Sequence, residues 1–76
     1  MVKNDKNSVL INFGNNLRKH RESKGYTQER LAIELDLEIS QISRIERGVI
    51  NTSIYTLFLI ATTLDLDINE LFIIEE

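Results

Sequence analysis

Leu10, Phe13 and Leu17 stand three and four positions apart, the spacing at which side chains share one face of an α-helix. This pattern runs to Lys24, after which Gly25 ends it. Thr27 is a good N-cap for a second helix, on which Leu31, Ala32 and Leu35 share a face. Asp36 and Leu37 leave a short turn before a third helix over residues 38–47, which stops at Gly48. Gly14, Gly25 and Gly48 all read as stop signals, and no proline occurs. Asn51, Thr52 and Ser53 supply a cap for a fourth helix over residues 54–64. Asp67 and Glu70 have the spacing of a capping box, which opens a last helix into Leu71, Phe72, Ile73 and Ile74. No strand pairing, repeat or low-complexity tract is visible, so the pattern predicts an all-α fold.

The third helix has an unusual outer face. Placed on a wheel at about 100° per residue, Ile42, Ile45 and Glu46 fall together, and Ser40, Arg44 and Arg47 fall opposite, flanked by Gln41 and Ser43. The two isoleucines are core. The other side is an array of short donors and acceptors with two guanidinium groups, the chemistry that reads base edges and grips phosphate. A solvated surface explains the same residues, and the helix alone leaves both readings open. The preceding eight-residue helix and tight turn complete a helix-turn-helix arrangement. Glu46 lies on the core side, and Arg21 lies on the Phe13–Leu17 face where a charge is equally out of place. An unpaired buried charge costs several kcal/mol, so the two residues are expected to form a structural ion pair.

With 76 residues the chain is one small domain over residues 1–76, near the lower limit for folding on a single core. It has no cysteine, which excludes disulfides and thiolate metal sites and fits a reducing cytoplasm. No apolar run approaches the roughly 20 residues of a membrane span, and the N-terminus is too polar for a signal peptide. A soluble cytoplasmic protein is expected. The net charge of −3 is unevenly spread: residues 1–30 carry +4, residues 31–48 carry −2 and residues 49–76 carry −5. Such an asymmetry offers one face to a polyanion while the other end repels it. His20 is the single histidine, and no phosphate-cradling glycine loop or carboxylate cluster is present, so neither an enzyme nor a cofactor or metal site is expected.

The run LRKHRESKGYTQERLAIELDLEISQISRIERG followed by NTSIYTLFLIATTLDLDINELF resembles, in order and spacing, the lambda-repressor-like, Xre-type helix-turn-helix family of bacterial and phage transcriptional regulators. The resemblance covers Phe13 to Phe72. It implies five helices, with the helix-turn-helix over about residues 27–47 and the third helix in the major groove of double-stranded DNA. Carried over by position, Ile39, Ser40, Gln41, Ser43 and Arg44 would approach bases. Gln28 would hold a phosphate and buttress the reading helix, Arg47 and the following loop with Asn51 would meet phosphate, and Arg21 would pair with Glu46. Three departures stand out. Asp36 and Asp65 replace glycines in turns, Glu38 replaces a Ser or Thr cap, and the loop from Val49 to Thr52 lacks basic residues. Phosphate grip then shifts to Lys19, Lys24, Arg44, Arg47 and, if it takes part, an N-terminal arm over residues 1–8 with Lys3 and Lys6.

Helix 4 is too apolar for one buried face. Leu57, Ile60, Ala61, Leu64 and Ile54 suffice for the core, which leaves Tyr55 and Leu59 outside. Leu71 and Phe72 satisfy the core at the C-terminus, and Ile73 and Ile74 are surplus. Surplus apolar surface on a small domain marks an interface, so a homodimer through Tyr55, Leu59, Ile73 and Ile74 is expected. A dimer doubles the reader on a pseudo-palindromic operator. The resemblance extends to small controller proteins of restriction–modification systems and to small phage repressors, acting by blocking or contacting RNA polymerase. With no room for a sensor domain, no small-molecule ligand is expected. The alternative is an antitoxin-like interaction module that keeps the fold without binding DNA.

Overall fold

Four α-helices and a closing 3-10 helix make up residues 5–73, the part of the chain that the computed structural model describes. They are α1 (Lys6–Ser23), α2 (Gln28–Leu35), α3 (Ile39–Glu46), α4 (Ile54–Thr63) and the 3-10 helix (Ile68–Phe72). Caps set most of the starts. The Thr27 side chain accepts the Arg30 N–H at 3.0 Å and Ser53 accepts the Thr56 N–H at 3.1 Å. Asp36 and Asp65 both sit at φ 55, in the left-handed region that ends α2 and turns the chain after α4. Aspartate tolerates that region better than most side chains, so the glycine usual at such a turn is dispensable here.

The core draws on every element. Leu17, Leu31, Ile42, Ile60, Leu64 and Leu71 are fully buried, with Phe13, Ala32, Leu35, Ile45 and Ala61 around them. Ala32 is small where α2 packs against α3, which brings the two helices together as one body.

Several expectations need correction. Gly14 stops nothing: it lies inside α1, where its missing side chain lets the helix rest on the end of α3. A β-carbon there would stand 2.5 Å from the Ile45 carbonyl oxygen and collide with that of Glu46. The helix α1 begins at Lys6 behind an Asp5 cap whose carboxylate accepts the Ser8 N–H at 2.8 Å, so residues 6–8 belong to it rather than to the arm expected over residues 1–8. The C-terminal element is a five-residue 3-10 helix, not an α-helix. The buried Asn16 fixes where it ends. Its Nδ2 donates to the Leu71 carbonyl at 3.2 Å and to the Ile73 carbonyl, holding Ile73 in extended geometry at φ −70, ψ 125.

Ile54 and Phe72, expected in the core, are 83% and 47% exposed. Ile54 is the first residue of α4 and overhangs the core, while Phe72 keeps one face on Phe13 with ring centroids 5.3 Å apart. No helix among the described residues is long and apolar enough to cross a membrane.

Candidate nucleic-acid interface

The outer side of α3 is held by the chemistry of its inner side. Ile42, Ile45 and Glu46 are buried, whereas Ser40, Arg44 and Arg47 are exposed and Gln41 and Ser43 half-buried. Glu46 is only 5% exposed and Arg21 7%, so neither charge is relieved by bulk water. Arg21 Nε donates to Glu46 Oε2 at 2.5 Å and Nη2 to Oε1 at 3.1 Å, a two-pronged pairing that satisfies both carboxylate oxygens. Nη1 donates to the Tyr26 carbonyl at 2.8 Å, which anchors the loop before α2. The hydrogen bonds that Arg21 donates to Glu46 hold its pKa above the ordinary value; burial works the other way, and the charges of Glu46 and Glu22 add to the rise. Arg21 therefore stays cationic, and one ion pair joins α1 to α3.

Gln28 extends this network. Its Nε2 donates to Glu46 Oε1 at 2.9 Å, so the first residue of α2 braces the last residue of α3. That bond uses one of the two amide hydrogens and leaves the other unused. The angle between the two helices of the helix-turn-helix is thus fixed by Arg21, Gln28 and Glu46 together, and among the described residues no buried side-chain nitrogen or oxygen lacks a partner.

The remaining site residues distribute as follows. Ile39 opens α3 and is 49% exposed. Glu38 precedes it as cap, and its N–H donates to Gln41 Oε1 at 3.1 Å. Arg47 Nε donates to Ser43 Oγ at 3.2 Å, which ties two polar residues one turn apart into a single ridge. Arg47 and Asn51 line one cleft with Lys6 and Asn7 from the start of α1. Gly48, at φ 72, permits this approach, because a β-carbon there would stand 2.7 Å from the Ile11 Cα. Lys19 and Lys24 are exposed on α1 and at its C-cap.

On the α4 side, Tyr55 and Ile73 are 70% and 56% exposed. Leu59 is half-buried against the core and contributes less outward surface than expected, because α4 turns Phe58, 59% exposed, to the outside instead. Ile74 lies outside the described residues. Sequence reasoning missed Phe58, Gly14 and Asn16. Asn16 carried a legible signal, a polar residue three positions after Phe13 on the apolar stripe of α1, the same kind of misfit that marked Arg21.

A family model described as helix-turn-helix, HTH_3, matches residues 17–71. The chain is 39% identical over 67 residues to the control protein C.MunI of a Mycoplasma species, covering 87% of this chain and 90% of that one. Among solved structures, the restriction–modification controller protein C.AhdI from Aeromonas hydrophila superposes with a TM-score of 0.79 at 41% identity, covering 83% of this chain and 96% of that one. The biofilm master regulator SinR, solved in complex with DNA, superposes with a TM-score of 0.73 at 32% identity over 78% of this chain and 95% of that one.

Proposed function

The chain belongs to the HTH_3 helix-turn-helix family, and from that premise we propose that it binds a pseudo-palindromic operator as a homodimer, acting as a controller-type transcriptional regulator. It is a DNA-binding regulator of the kind represented by the controller protein C.MunI and by SinR. One observation carries the reading. The inner side of α3 is locked by the Arg21–Glu46–Gln28 network, and its outer side presents Ser40, Gln41, Ser43 and Arg44. A short rigid helix with such a face fits the major groove, where side chains reach base edges.

In this reading Ile39, Ser40, Gln41, Ser43 and Arg44 meet bases. Gln28, Lys19, Lys24, Arg47 and Asn51 meet phosphates on either side. The exposed apolar side chains of α4 and the segment after it, Tyr55, Phe58 and Ile73 with Leu59 at their edge, support a second copy as the partner. Two copies place their reading helices about 34 Å apart, one turn of duplex. Occupancy of such a site blocks polymerase or offers it a contact, according to where the operator lies. The five carboxylates of residues 65–76, with no basic residue among them, disfavour DNA at that end of the chain and favour binding with α3 inward.

Titration against DNA carrying the operator, over increasing salt, tests this. Groove binding predicts log affinity falling linearly with log salt, with a slope near −0.9 per phosphate neutralised, and a clear preference over scrambled DNA. A salt-insensitive chain with no preferred sequence would instead be a protein-interaction module of the antitoxin kind.

A further inference from the structure

Because α1 begins at Lys6, that lysine is carried on a helix rather than on a flexible arm. It shares a cleft with Arg47, the C-cap of α3. Lys6 and Asn7 line it from the first turn of α1, Arg47 and Asn51 from the end of α3 and the loop beyond, with Ile11 and Val49 between them. All six residues are exposed. Among the described residues no carboxylate lines this cleft, although the chain holds more Asp and Glu than Lys and Arg. Asp5, the neighbour of Lys6 in sequence, is engaged as the cap of α1, accepting the Ser8 N–H at 2.8 Å. Arg47 Nε is tied to Ser43 Oγ at 3.2 Å, which steadies the guanidinium and leaves both Nη groups without an acceptor among the described residues. The side chains of Lys6, Asn7 and Asn51 likewise make no hydrogen bond or ion pair among those residues.

Two cations and two amides with donors to spare, in one cleft without a counter-ion, form a site for an anion with several oxygens. Groups this exposed hold a free ion weakly. A phosphate on a duplex is different, because contacts elsewhere along the DNA have already brought it into place. The location favours that source. Arg47 lies one turn beyond Ser43 and Arg44 on α3, so the cleft adjoins the face that carries Ser40 and Arg44. Lys6 is also anchored at its backbone by the helix, so it loses less freedom on binding than a lysine on a loose arm would. We infer that this cleft holds one backbone phosphate at the edge of each half-site, with Lys6 and Asn7 closing on it beside Arg47 and Asn51. The inference rests on α3 being the DNA-reading helix and deepens that reading by bringing the first turn of α1 into the interface.

The test starts from an operator selected out of a randomised DNA pool by the full chain. Binding to it is measured over increasing salt for the parent, Lys6→Gln and Arg47→Gln. Both residues are exposed, so each variant should melt with the parent. In Lys6→Gln the slope of log affinity against log salt should fall by about 0.9 per half-site, with the selected sequence unchanged. Operators carrying a neutral methylphosphonate at one phosphate at a time then locate the contact. One such position per half-site should weaken the parent, and weaken Lys6→Gln and Arg47→Gln clearly less, because both cations serve the same phosphate. A mere change in net charge would act on all positions alike. A Lys6→Gln slope equal to that of the parent, or no single phosphate answering to both cations, would overturn the shared site while leaving DNA reading intact. Saturable movement of the Asn7 and Asn51 side-chain NMR signals by millimolar inorganic phosphate, without DNA, would make the cleft a site for a free anion and overturn the assignment to DNA. A parent that enriches no sequence at all overturns the DNA-reading premise itself, and this inference with it.

Discussion

Around α3 several polar side chains are tied to the protein's own frame, while Ser40 and Arg44 stand exposed among them. Gln28 braces Glu46, Gln41 caps Glu38 and Arg47 is tied to Ser43. Along α4 and the segment after it the exposed large apolar side chains are Ile54, Tyr55, Phe58, Ile68, Phe72 and Ile73. No basic residue occurs anywhere in residues 49–76. The first face is fixed in direction by hydrogen bonds, which suits a partner that must be read atom by atom. The second is fixed mainly by burial of the opposite side of its helix, and its chemistry is non-directional. Such a face suits a partner whose own surface is already complementary, and a second copy of the chain meets that condition by symmetry. In the proposed function, specificity and assembly are thus assigned to two different sides of a very small domain.

The sharpest way to break the first face is from behind. Glu46→Ala leaves Arg21 buried without its carboxylate and removes the acceptor of Gln28, so it should cost about 3–5 kcal/mol. Calorimetry should show the loss as a fall in Tm, at roughly 4–8 °C per kcal/mol for a domain of this size. A variant melting like the parent would mean that the network does not hold α3. Gly14→Ala acts on the same junction through sterics, since the new methyl group meets the Ile45 carbonyl oxygen at 2.5 Å. It should destabilise by about 3 kcal/mol or more, because the atoms it meets are backbone. Gly25→Ala has no neighbour within 4 Å and suffers only its φ of 79, so it should cost about 1–2 kcal/mol and fall below Gly14→Ala in paired urea melts. Equal or reversed losses would contradict the close approach of α1 to α3.

The second face should respond in the opposite way. Tyr55→Glu combined with Phe58→Glu alters two exposed side chains and should barely change the melting of the isolated domain. It should convert a dimer to a monomer in sedimentation and weaken operator binding by uncoupling the half-sites. A parent that sediments as a monomer, or a double variant that remains dimeric, would remove this face from assembly.

Much of this arrangement is legible without coordinates, for identifiable reasons. Helix periodicity places Phe13, Leu17, Leu31, Ile42 and Ile60 inside because a helix has only one face to bury. Arg21 and Glu46 stand out because opposite charges on two apolar faces account for one another. Gly14 misleads because a glycine that permits close packing and a glycine that ends a helix look alike in one dimension. The Gln41–Glu38 bond is hidden for a related reason, since a glutamine at a helix start reads equally as a surface residue; the bracing of α3 by Gln28 is legible only through the family resemblance. On α4, Phe58 and Leu59 are adjacent apolar residues whose division between surface and core depends on how far the helix rotates against its neighbours. Pattern alone does not set that rotation.

The central claim is that the outer face of α3 reads DNA because its inner face holds it rigid. Fluorescence anisotropy with labelled operator, comparing the parent with Ser40→Ala/Arg44→Ala, tests it most directly. Both positions are exposed, so the double variant should melt with the parent while losing roughly tenfold or more in affinity for each base contact removed. Unchanged affinity in a folded double variant would contradict the account.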